Sequence, residues 1–157
     1  MIQGTLENFI KIFKDHAEAD TDLQYFAYGE VFLVEERMQS DGDFALPLLW
    51  LDEPEISPAR NRTNLYINQF RTAVWLIVEL DRTADYVAIE QTYAAAHAQL
   101  DKVVGMLYKL ERERAIVEFK VGKEEAISRA FVRTGNLIGW RAEIQLSLQT
   151  TTIHHIS

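Results

Sequence analysis

The stretch YVAIEQTYAAAHAQLDKVVGMLYKLER, residues 86–112, decides the fold. Within it Tyr86, Ile89, Tyr93, Ala96, Leu100, Val103, Leu107 and Leu110 recur at spacings of three and four without a miss. That is the period of a helix with one buried stripe. At 1.5 Å per residue such a helix is about 40 Å long. Four heptads would also suit a coiled coil, but strand patterns flank the helix on both sides, so packing across a sheet is expected. Gly105 costs about 1 kcal/mol against alanine inside the helix, which the stripe absorbs.

Downstream, Trp140, Ala142, Ile144, Leu146 and Leu148 alternate with Arg141, Glu143, Gln145, Ser147 and Gln149. One dry face and one wet face predict an antiparallel strand. Shorter strands are expected at 115–121, where Val117, Phe119 and Val121 alternate with charge, and at 126–134. Gly122-Lys123 and Gly135-Asn136 are the turns around the latter.

Upstream, residues 64–80 predict a long strand. Phe70, Thr72, Val74, Leu76, Val78 and Leu80 share one face, and Gln69, Arg71, Ala73, Trp75, Ile77 and Glu79 the other. Residues 52–63, with Pro54, Pro58, Arg60 and Arg62, read as a surface loop. Leu46 to Leu51 is a short strand, with Pro47 at its start or on an unpaired edge. Ser40-Asp41-Gly42-Asp43 is a turn. Residues 23–36 read as extended structure bent near Gly29, with Val31 to Val34 as an apolar run. Residues 5–18 predict a helix capped by Thr5, with Leu6, Phe9, Ile10, Phe13 and Ala17 as its buried stripe.

The expectation is therefore α+β: a mostly antiparallel sheet, with an N-terminal helix and the 86–112 helix on one face. The other face is left available. With 157 residues and neither an internal repeat nor a linker tract, one domain over 1–157 is expected.

The chain has no cysteine, which excludes disulfides, thiol catalysis and thiolate metal sites. No run approaches a membrane span and no secretory signal opens the chain, so the expected place is the cytoplasm. The net charge is −8, and residues 15–55 hold 12 acids against one base, Arg37. Such a face is solvated, or repels nucleic acid, or meets a basic partner. Arg60 and Arg62 are too small a basic cluster for sequence-specific nucleic-acid binding.

No catalytic motif is present. Gly122-Lys123 lacks the upstream glycines of a phosphate loop. Asp41-Gly42-Asp43, with Asp52, Glu53 and Glu55 nearby, lacks the rest of a calcium loop. His16, His97, His154 and His155 do not share a zinc spacing, and no serine sits in an elbow motif. Neither catalytic residues, nor a cofactor, nor a metal is expected, and the chain does not read as an enzyme. Trp50 is expected in the core, and Trp75 and Trp140 in the core or on a sheet face. Trp75 and Ile77, with Arg71 beside them, are the candidates for self-association, since they interrupt an otherwise polar sheet face. The alternative is that a loop, 37–46 for instance, covers Trp75 within the chain.

The order of elements resembles that of bacteriophage tail-terminator and related neck or tail-completion proteins. The resemblance rests on the 5–18 helix, on Tyr25-Phe26-Ala27-Tyr28-Gly29-Glu30, and on Leu46-Pro47-Leu48-Leu49-Trp50-Leu51. It also rests on the long strand, the long helix, and Gly139-Trp140 ahead of the closing alternation. It implies a structural role in a phage, prophage or tail-like particle. The subunits would form a homo-oligomeric ring, commonly hexameric, that meets tail-tube or head–tail connector proteins. No site residue is carried over. The other reading of the residues is a cytoplasmic module that binds a small molecule or a peptide.

Overall fold

The hydroxyl of Thr5 accepts the Asn8 amide at 3.2 Å and so caps α1, Leu6–Ala19. The computed structural model describes residues 1–30, 34–60, 65–122, 127–132 and 136–150. Arg62, Lys123, Gly135, His154, His155 and the Val31 end of the apolar run fall outside them.

Beyond α1 the order is β1 (Tyr25–Tyr28), α2 (Val34–Ser40), β2 (Leu48–Leu51), β3 (Glu55–Arg60) and β4 (Tyr66–Glu79). Then come α3 (Tyr86–Arg112), β5 (Glu118–Val121), β6 (Ile127–Val132) and β7 (Leu137–Gln149). The fold is α+β, and the seven strands form one mostly antiparallel sheet. Its spine is the pair β4–β7, in register from Ile67↔Gln149 to Glu79↔Leu137. Each spine strand is flanked by two short ones. β3 lies along Tyr66–Arg71 and β2 along Val74–Ile77. β5 lies along Ile144–Ser147 and β6 along Leu137–Ala142. β1 continues the sheet beyond β2, in parallel.

The main core lies between the sheet and the two longer helices. Phe9, Ile12, Phe13 and Ala17 of α1 and Ala96, Leu100, Val103 and Leu107 of α3 meet Phe70, Val74, Leu76, Ala142, Ile144, Leu146 and Leu148. The expected alternation of β4 and β7 therefore holds, and so does the placement of both helices on one face. Phe9 stacks on Phe70 with ring centres 4.5 Å apart.

Four local expectations are corrected. Val34 begins a helix rather than ending a strand: Val34 and Met38, four residues apart, turn one apolar edge inward. The presumed loop 52–63 contains β3, and Pro58 is tolerated there because β3, among the described residues, pairs with β4 alone. Leu6 is exposed and Ile12 is buried in its stead. The α3 stripe is buried only from Ala96 to Leu107. At its start Tyr86 is exposed.

Candidate interaction surface

Strand alternation sends Arg71, Ala73, Trp75 and Ile77 to the sheet face opposite α1 and α3. That outer face is divided. At one end, Val34, Met38, Phe44 and Leu46 close over Ala27, Leu48, Trp50, Ile77 and Leu137 as a second apolar cluster. The cover is pinned by hydrogen bonds. The Tyr25 hydroxyl donates to Asp41 Oδ2 at 2.5 Å, and the Trp50 indole N–H donates to the Gly29 carbonyl at 2.8 Å. The Tyr25 hydroxyl and the Asp43 amide together hold the Asp41 carboxyl below the usual carboxylate range. Asp41 also accepts that Asp43 amide through Oδ1 at 2.9 Å, which is the work of a turn residue.

This cover corrects the expectation for Ile77. Its side chain is 0% exposed, enclosed by its own chain, and cannot anchor a neighbour. Trp75 lies at the border of the cover and is half-buried. Its indole N–H donates to Asp52 Oδ2 at 2.9 Å, and the Arg141 guanidinium lies 5.4 Å from its ring centre. Arg71 is exposed, and its Nε donates to Gln145 Oε1 at 3.2 Å. The three residues singled out from the sequence thus part company: Arg71 and Trp75 reach the surface, and Ile77 does not.

Beyond Trp75 the outer face is mixed: Arg71 is exposed, Gln69, Arg141, Glu143 and Gln145 are half-buried, and Ile67, Ala73 and Ser147 are buried among them. Register sets Glu55 beside Arg71, Arg71 beside Gln145, and Gln145 beside Lys120, one row across four strands. Arg141 pairs with Glu143 at 2.7 Å and Lys120 with Glu118 at 3.0 Å. Glu55, Arg71, Gln145, Lys120, Arg141 and Glu143 line a shallow open basin with Asp52.

The helix side carries two further features, neither legible in the sequence. Between α1 and α3 runs an open groove of about 630 Å³, lined by Ile2, Lys11, Ile12, His16, Met106 and Leu110 among others. Burial pushes the His16 imidazole below its ordinary pKa, against the pull of Asp20. At the far end of α3, Tyr86 and Val87 stand out at 76% and 60% exposure. The turns behind them are held to the sheet. Arg129 pairs with Glu90 at 2.6 Å and covers the Tyr93 ring at 4.2 Å, and the Trp140 indole N–H donates to the Tyr93 carbonyl at 2.7 Å.

Among the described residues, no three His, Asp or Glu side chains converge as a metal site. His97 Nδ1 lies 3.3 Å from Asp101 Oδ2, and its ring meets Trp140 edge-on. No helix among the described residues is long and apolar enough to cross a membrane. No protein-family model matches the chain, and no curated protein matches it either.

Proposed function

We propose that this protein is a non-enzymatic structural component of a phage, a prophage or a phage-tail-like particle. In this reading it is one subunit of a ring at the tail end or the head–tail junction. The observation that carries the reading is the divided outer face of the β4–β7 spine. One end is sealed by the chain's own α2, and along the middle of the two longest strands exposed Arg71 and half-buried Trp75, Arg141, Glu143 and Gln145 face outward. A half-buried tryptophan beside Arg141 and Asp52, with the Glu55, Arg71 and Lys120 row further along the same face, has the make-up of a protein contact, an aromatic centre with polar groups around it. The role itself is the one that the resemblance in the order of helix, sheet, long helix and closing strand implies. The face around Trp75 and Arg71 meets a second copy of the chain, and the assembled ring meets a tail-tube or connector protein. The protein is made in the cytoplasm and ends as part of the particle.

Electron microscopy of the purified protein in negative stain tests this. Annular particles with a central opening and a fixed number of subunits are expected. Fields of single small particles at every loading would contradict it.

The second reading is a module that binds a small molecule or a peptide. The groove between α1 and α3 favours it, since its walls are apolar and a few polar groups sit among them.

A further inference from the structure

The end of α1 is tied to α3 by a cluster of polar side chains. Asp20 follows the helix, and its Oδ1 accepts the Asp22 amide at 2.9 Å, which turns the chain back. From α3, Lys102 Nζ lies 3.3 Å from Asp22 Oδ2 and 3.8 Å from Asp20 Oδ2. Gln99 Nε2 donates to the same Asp22 Oδ2 at 3.2 Å. Ala17 and Leu23, on either side of this turn, are buried in the main core. The junction thus sets one cation of α3 against two carboxylates of the turn.

His16 stands beside this junction, in the last turn of α1, and its carbonyl accepts the Asp20 amide at 3.1 Å. Its Nε2 is enclosed and has no hydrogen-bond partner among the described residues. The charged groups that act on the ring are Asp20, just past its own helix, and Lys102 on α3. Lys11 and Asp15 line the groove with it but pair with one another at 2.8 Å. The Asp20 carboxylate and the negative end of α1 favour an imidazolium. Enclosure, first among the causes, and the Lys102 ammonium oppose it and hold the ring below its ordinary pKa. A proton is therefore easier to place on His16 when the ring is in water than when the junction is closed.

We propose that His16 is a proton-operated latch, whose protonation in mild acid releases the last turn of α1 and the turn at 20–22 from α3. The imidazolium moves out to water, and the end of the helix comes away with it. The closed junction is whole above the ordinary histidine value of 6.5 and weakens as pH falls from there through the lowered folded value. One proton is taken up on opening, so the open fraction rises by up to about tenfold for each pH unit in that window. His16 and Ala19 line the groove between α1 and α3, so the same change widens the groove. The latch does not depend on the ring-forming role proposed above.

Two measurements on the full chain test the latch. One is an NMR titration of the histidine rings. The other is amide hydrogen exchange from about pH 7.5 to about 5.5, corrected for the intrinsic pH dependence of exchange. His16→Gln removes the titrating group and keeps a polar side chain. Circular dichroism confirms that the variant folds, and the ring signal it deletes identifies His16. That signal should titrate below 6.5 in the wild type. The amides from Ala17 to Leu23 should open more as the ring takes its proton, by up to about tenfold per pH unit, while those of β4 and β7 stay protected. In His16→Gln the opening should not vary with pH over this range. A His16 signal that titrates at or above 6.5 overturns the proposal. So does opening that ignores pH, that keeps its pH dependence in His16→Gln, or that spreads equally to β4 and β7.

Discussion

A Cβ placed on Gly139 would lie 1.7 Å from the main-chain oxygen of Leu76, on the neighbouring spine strand. The two strands of the β4–β7 pair approach this closely only because position 139 has no side chain. Gly139→Ala forces them apart where the main core and the outer cluster meet. The expected loss is about 3 kcal/mol, at the upper end of overpacking costs. Urea unfolding reads this as a lower midpoint, and an unchanged midpoint would mean that the strands yield freely.

Leu100 is fully buried at the centre of the α3 stripe. Leu100→Ala should cost about 2–5 kcal/mol, as transfer and cavity terms add. Wild-type stability in that variant would place the stripe against solvent instead of the sheet.

Two surface positions should respond the other way. A Cβ on Gly105 would have nothing within 4 Å, so Gly105→Ala in mid-helix should stabilise by about 1 kcal/mol. Arg114 has φ of 58° where the chain leaves α3. Arg114→Gly relieves that left-handed conformation and should add roughly 0.5–1 kcal/mol. Thermal melts of the two single variants and the double variant give both values and their additivity.

The sequence made the main core readable because its signals repeat. Ala96 to Leu107 in α3 and Ala142 to Leu148 in β7 each hold one period over several turns or pleats. Short elements have no such repetition. α2 has seven residues, fewer than two full turns inward, and β-branched Val34 at its head reads as strand. β3 was hidden by Pro58, whose missing amide matters only if the strand is central. For the site, alternation rightly put Trp75 and Ile77 on the face away from the helices. Which of them stays open depends on where α2 and Phe44 fold back, a contact between segments more than thirty residues apart in sequence. The groove and the exposure of Tyr86 depend on how two helices lie against each other and the sheet, which no local pattern encodes.

The cover over Ile77 should be sensitive to acid. Asp41 is held below its ordinary pKa by Tyr25 and the Asp43 amide, so the unfolded chain binds its proton more readily. This contribution is whole above the ordinary aspartate value of about 3.9 and is lost as pH falls through the lowered folded value. Tyr25→Phe should flatten that part of the pH–stability curve, as read by denaturant titrations from pH 6 downward. An unchanged slope would mean that Asp41 does not depend on Tyr25.

The mass of the chain in solution is the most direct test of the proposed ring-forming role. Light scattering across a wide concentration range should show one discrete assembly of fixed size. Six times the chain mass of 18.1 kDa is the size that the resemblance implies. A mass of 18.1 kDa at every concentration would contradict the account.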